Sequence, residues 1–129
     1  QMCIRDRACT AGNAVLDVIL APGFLDGVDR VARHLWRGLQ DLAARHPRVA
    51  MGVQGAGLLM GLRLREDLSN TAMQAMAVEE GLLTVAAGMN VLRLAPPLII
   101  TEAEADEALR RLDRAAIRMT PARNEVAAQ

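Results

Sequence analysis

Gly88-Met89-Asn90-Val91-Leu92-Arg93-Leu94-Ala95-Pro96-Pro97-Leu98-Ile99-Ile100 is the stretch whose reading decides the fold. Val91 to Leu94 is a short apolar run that reads as a buried strand. Gly88 and Asn90 before it are turn residues, and the rigid Pro96-Pro97 pair ends it. One residue does not belong. Holding the guanidinium of Arg93 among apolar neighbours is costly unless an anion or a dense set of acceptors meets it. Its fork of five donors suits a carboxylate, bound through two parallel hydrogen bonds. That carboxylate belongs either to a ligand or to the protein itself, and a third solution is snorkelling to water from a strand end.

The rest of the composition sets the frame. A chain of 129 residues with 52% apolar and 23% charged side chains is expected to be one globular domain. With one Phe, one Trp and no Tyr, its core must be aliphatic. Net charge is zero, so no basic excess draws it to nucleic acid or to an anionic membrane. No apolar run reaches the roughly 18 to 20 residues that span a bilayer, and no signal peptide is recognisable. Cys3 and Cys9 fit no metal or redox spacing and make no disulfide framework. The expectation is a cytoplasmic protein. All 15 basic residues are arginine, so chemistry requiring a lysine amine cannot be completed by these residues.

Working outward, Gln1 to Arg7 has no periodicity and is set apart as a leader. From Ala8 the pattern is helical, with Ala14, Val15, Val18 and Ile19 on one face, until Ala21-Pro22-Gly23 breaks it. The strongest period spans about Gly23 to Arg45, where Phe24, Val28, Val31, Leu35, Leu39 and Leu42 recur at steps of three and four. Trp36 lies off that stripe and is free to cover a neighbouring element or a partner chain. His34 and His46 read as structural, since neither has a carboxylate at a useful spacing.

After Pro47 the period becomes two. Val49, Met51 and Val53 alternate, Gly55-Ala56-Gly57 intervenes as a turn or bulge, and Leu58, Met60, Leu62 and Leu64 alternate again. No helix pattern follows the glycines, so they do not form a dinucleotide loop. Asp67 to Glu80 is helical, with Ser69 or Asn70 as N-cap, Ala72, Met73, Met76 and Ala77 buried, and Gly81 as the left-handed stop. Leu82 to Val85 reads as a short strand. Thr101-Glu102-Ala103-Glu104 has the form of a capping box. The helix it opens buries Ala105, Ala108, Leu109, Leu112 and Ala116, and Arg110, Arg111, Arg114 and Arg118 form a solvated face near its end. Thr120 to Gln129 reads as a disordered tail. The order helix, helix, strand, strand, helix, strand, strand, helix predicts an α+β layer, a mostly antiparallel sheet with helices on one face. The first helix and the outer sheet face need another surface to cover them.

Four segments, taken in order, carry a resemblance: Ala8-Cys9-Thr10-Ala11-Gly12-Asn13-Ala14-Val15-Leu16-Asp17-Val18-Ile19, Gln54-Gly55-Ala56-Gly57-Leu58-Leu59-Met60-Gly61, Gly81-Leu82-Leu83-Thr84-Val85 and Asn90 to Ile100. Together they resemble the carboxy-terminal part of class III pyridoxal-phosphate aminotransferases, with the nearest likeness to the acetylornithine branch, over roughly Ala8 to Met119. The resemblance implies the small C-terminal domain (8–119) of a fold-type-I transferase, a homodimer whose site lies at the subunit interface. It implies that Arg93 binds the α-carboxylate of an amino acid or of 2-oxoglutarate, and that Gly55 and Gly57 are structural. It implies pyridoxal 5'-phosphate held mainly by a large domain outside these residues, where the Schiff-base lysine, the aspartate under the ring nitrogen and the phosphate loop belong. A threonine-bearing segment that reaches the partner's cofactor would fall at Gln1 to Arg7, which does not match. The activity implied is transfer of an amino group from N-acetylornithine to 2-oxoglutarate in arginine biosynthesis, or from ornithine, succinylornithine or 4-aminobutyrate in sister enzymes. No catalytic, cofactor-binding or metal-binding residue is expected in this chain, which alone is expected to be inactive. The rival of another class is a non-catalytic module that binds a carboxylate or a partner.

Overall fold

The apolar stripe of the second helix is the surface on which the other elements are laid. In the computed structural model, which describes residues 2–120, eight elements follow in the expected order: α1 (Met2–Ile19), α2 (Phe24–Arg45), β1 (Ala50–Ala56), β2 (Leu59–Leu64), α3 (Asn70–Glu79), β3 (Val85–Ala87), β4 (Val91–Leu94) and α4 (Glu102–Met119). Val31, Leu35, Leu39 and Leu42 of α2 are buried, and each large side chain contributes about 1.5–3 kcal/mol by leaving water. They meet Met60, Leu62 and Leu64 of β2, Leu92 and Leu94 of β4, and Ala105, Leu112, Ala115 and Ala116 of α4 in one core. Trp36 packs against its edge. Gly38 lets α4 close in, since a Cβ there would lie 2.1 Å from Leu109 Cδ1.

The strands pair antiparallel in the order β1-β2-β4-β3. Gly57 and Leu58 form the loop of the first hairpin, flanked by the pair Ala56 and Leu59. Gly55 at φ 127° and Gly57 at φ 54° adopt backbone that favours glycine. A Cβ on Gly55 would also lie 2.2 Å from the Leu59 carbonyl oxygen, so the turn reading of these glycines holds. The alternation expected for β1 does not. Ala50 pairs with Leu64 and Gly52 with Arg63, leaving Met51 as the extra residue of a bulge. Met51 is consequently 54% exposed rather than buried beside Val49.

The helix termini follow their sequence signals. Ser69 caps α3 by accepting from Ala72 N–H, and Gly81 turns at φ 80°. Thr101 and Glu104 form the reciprocal capping box of α4. The strand expected at Leu82 begins only at Val85, because Leu82 N–H is already donated to Ala77 O at the end of α3. The first helix starts at Met2 rather than Ala8. Helical hydrogen bonding is local and needs no buried stripe, and α1 is largely exposed from Arg5 onward. The expected tail beyond Thr120 lies outside the described residues. No single helix among those described is long and apolar enough to cross a membrane.

The arginine face of α4 is solvated but not idle. Glu80 at the end of α3 accepts from Arg114 at 2.7 Å and from Arg118 at 3.1 Å, while Arg111 Nη1 donates to the Gly81 carbonyl at 2.7 Å. The two histidines join α2 to α4. His34 Nε2 lies 2.6 Å from Asp106 Oδ1 and His46 Nε2 lies 2.7 Å from Asp113 Oδ1. Both roles are structural, yet each histidine does have a carboxylate, supplied from about 70 residues away by the packing.

Candidate functional site

The helices α2, α3 and α4 cover one face of the sheet, so strand alternation decides which residues reach the other. On β4, Leu92 and Leu94 enter the core while Arg93 points to the uncovered side. Arg93 is therefore exposed, which corrects its reading as a guanidinium held among apolar neighbours. The run Val91 to Leu94 looks buried throughout because Val91, on the open face, packs over a glycine. An added Cβ at Gly61 would lie 2.4 Å from Val91 Cγ1. The Arg93 side chain makes no hydrogen bond or ion pair with any described residue, so neither an internal carboxylate nor a backbone acceptor occupies its guanidinium donors.

The open face is a shallow apolar floor. Across it run Gln54 of β1, Gly61 of β2, Arg93 of β4 and Val85 of β3, each directly paired with the next. Around Gly61 and Arg93 lies a groove of about 420 Å³, lined also by Ala56, Leu59, Ala87 and Gln54. A guanidinium over such a floor can grip a carboxylate with two charge-assisted hydrogen bonds while the ligand's carbon chain lies on apolar surface. It cannot take up a proton from a substrate, because it remains charged.

The position of Arg93 along the sheet is fixed by a polar knot three residues earlier. Asn90 sits at φ 56°, a left-handed conformation that asparagine tolerates better than most residues. Its side chain accepts from Asn70 N–H at 3.0 Å and donates to the carbonyls of Arg65 and Leu68, both at 2.8 Å. Asn70 in turn donates to the carbonyls of Ala87 at 2.7 Å and Val91 at 3.1 Å. These bonds pin the start of α3 to both strands of the second hairpin, and with it the register that aims Arg93 outward. Sequence reading gave Asn90 a role only as a turn residue and quoted Gln54 only as part of a segment carrying the resemblance, with no role of its own. The Gly-x-Asn spacing hinted at the first; nothing in the spacing marked the second.

A second apolar surface is formed where Val15 and Val18 of α1 face Pro97, Leu98 and Ile99 across a groove of about 480 Å³. The expectation that the first helix and the outer sheet face lack a cover among these residues matches this arrangement.

Comparison with known proteins places this architecture. The family model for aminotransferase class-III matches residues 6–116. The acetylornithine aminotransferase of Parasynechococcus marenigrum (strain WH8102) is 47% identical over 108 residues, covering 82% of this chain and 26% of its own length. That of Agrobacterium fabrum (strain C58 / ATCC 33970) is 46% identical over 120 residues, covering 93% of this chain and 30% of its own. Among solved structures, an amine transaminase from an uncultivated Pseudomonas species in its PLP-bound form superimposes with a TM-score of 0.77 at 31% identity, over 87% of this chain and 27% of that one. The acetylornithine aminotransferase of Elizabethkingia anophelis gives a TM-score of 0.76 at 26% identity, over 86% and 28%. The chain thus spans little more than a quarter of the length of the relatives it matches. By sequence and by fold, the chain belongs to the class III aminotransferases.

Proposed function

We propose that this chain is the substrate-carboxylate portion of an aminotransferase that moves an amino group from N-acetylornithine to 2-oxoglutarate. The observation that carries the reading is Arg93, an exposed guanidinium with no partner among the described residues, set on an apolar groove. The names of the relatives at 46–47% identity support the choice of donor. In this reading Arg93 receives the α-carboxylate of either substrate. With glutamate and 2-oxoglutarate it orients the reacting α carbon beside it. With N-acetylornithine, whose transferred amine is at the other end of the chain, it anchors the end remote from the reacting carbon. Such positioning makes a large contribution to catalysis without the residue taking part in proton transfer.

The family's cofactor, pyridoxal 5'-phosphate, supplies an electron sink once an amine holds it and an acidic group meets its ring nitrogen. The residues present do not fit that requirement. The chain contains no lysine, and no acidic side chain lines the groove. In the proposed whole enzyme the cofactor is held by a large domain outside this chain, in a cytoplasmic homodimer of the arginine biosynthetic pathway. The 129-residue chain by itself is without transaminase activity.

The test is a chimera in which residues 6–116 replace the matching segment of the Agrobacterium fabrum relative. Transamination of N-acetylornithine with 2-oxoglutarate supports the reading. A chimera that folds, binds the cofactor and stays inactive with this pair would overturn it in favour of a carboxylate-binding module.

A further inference from the structure

We infer that Gln54 is the second contact of the carboxylate held by Arg93, its amide donating to a lone pair that the guanidinium leaves free. The inference rests on the reading of Arg93 just given and adds a residue which that reading leaves unused. It holds for 2-oxoglutarate, glutamate and N-acetylornithine alike, because it concerns the α-carboxylate that all three share.

Three observations carry it. Of the residues lining the groove, only Arg93 and Gln54 have polar side chains. Gln54 pairs with Gly61 and Gly61 with Arg93, and directly paired residues project from the same face of a sheet. The two side chains thus rise on either side of a glycine, from backbones two strand spacings, about 10 Å, apart. Gln54 also leans inward. Its Cγ lies 3.6 Å from where a Cβ on Gly61 would stand, nearer than the roughly 4.5–5.5 Å between paired Cβ atoms. With Val91 Cγ1 2.4 Å from the same point, the floor between amide and guanidinium is apolar. Like Arg93, Gln54 makes no side-chain hydrogen bond with any described residue.

The chemistry of a bound carboxylate explains why a second donor matters. Its two oxygens offer about four lone-pair sites, and a bidentate guanidinium uses two of them. An ion pair taken out of water is favourable only when the remaining lone pairs are met as well. The Gln54 amide brings two N–H donors and no charge, so it adds to the grip of Arg93 without competing for it. A glutamate in its place would offer Arg93 an internal partner and repel the substrate.

The experiment is steady-state kinetics of the chimera described above, with its cofactor bound, varying 2-oxoglutarate and N-acetylornithine in turn. Gln54→Met keeps the methylenes that lean over Gly61 and removes the amide. It should lower kcat/KM for both substrates by about tenfold, the worth of one hydrogen bond to a charged group. Gln54→Glu should lower it further. In an Arg93→Ala background, Gln54→Met should cost about threefold at most, because the two residues act on one carboxylate. Circular dichroism and cofactor absorbance check that each variant is folded and loaded. A Gln54→Met chimera as active as the unaltered one, a Gln54→Glu chimera no worse than Gln54→Met, or an undiminished loss in the Arg93→Ala background overturns this inference alone. A chimera that is inactive, or indifferent to Arg93→Ala, overturns the reading of Arg93 with it.

Discussion

Asn90 accepts a hydrogen bond from the backbone N–H of Asn70 across 20 residues of sequence, at 3.0 Å. Through this bond the first residue of α3 is tied to the hairpin that carries Arg93. The knot is small, but the groove depends on it, since a hairpin that slipped by one residue would turn Arg93 into the core and Leu92 or Leu94 out.

Replacing Asn90 should therefore reveal two separate costs. Asn90→Ala loses three side-chain hydrogen bonds and places a Cβ residue in left-handed backbone. Asn90→Gly loses the same bonds but adopts that backbone freely. We expect Asn90→Ala to destabilise by roughly 2–4 kcal/mol and Asn90→Gly by about 1 kcal/mol less, read from urea midpoints. Equal losses would mean that the φ of 56° carries no strain.

The ion pairs between α3 and α4 set an acid limit. Hydrogen bonds from Arg114 and Arg118 of α4 hold the Glu80 carboxyl below its ordinary pKa, and within α4 itself Arg111 and Arg110 do the same for Glu107. A carboxyl whose pKa is lowered by folding adds stability that is present above its unfolded pKa and is lost as pH falls through the folded one. Melting temperatures should accordingly drop as pH descends below the usual carboxylate range, and Glu80→Gln should make that descent shallower. Parallel curves for the two proteins would remove Glu80 from the account.

The bulge in β1 and the buried stripe of α2 make opposite forecasts for two residues, Met51 by strand alternation and Leu39 by helical periodicity, that the sequence pattern marks as apolar core. Met51 faces solvent, so Met51→Arg should change stability by no more than about 0.5 kcal/mol. Leu39 is fully buried, and Leu39→Ala should cost about 2–5 kcal/mol. A large loss at Met51 in urea denaturation would contradict the strand register.

These contrasts show what kind of information the sequence carried. Local signals were legible: the α2 stripe, the left-handed stop at Gly81, the capping box of Thr101 and Glu104, and the order of all eight elements. Each depends on residues within a turn or two of one another. What depended on the tertiary arrangement was not legible. His34 and His46 find Asp106 and Asp113 only because α2 and α4 pack together. Val91 to Leu94 read as doubly buried because sequence could not reveal that Gly61 lies beneath Val91, sheltering one side of a strand whose Arg93 is open. Leu82 to Thr84 read as strand because their apolar character was visible, whereas the prior use of Leu82 N–H by α3 was not. The placing of Gln54 in the same row as Arg93 required the register of three strands.

The central claim is that Arg93 grips the substrate carboxylate through its planar fork, and it is tested most directly by kcat/KM for N-acetylornithine in the chimera carrying Arg93→Lys. A point charge cannot replace two parallel hydrogen bonds, so kcat/KM should fall by about 100-fold, the worth of roughly 3 kcal/mol of charge-assisted hydrogen bonding, with fold and cofactor binding intact. An unchanged kcat/KM would contradict the account.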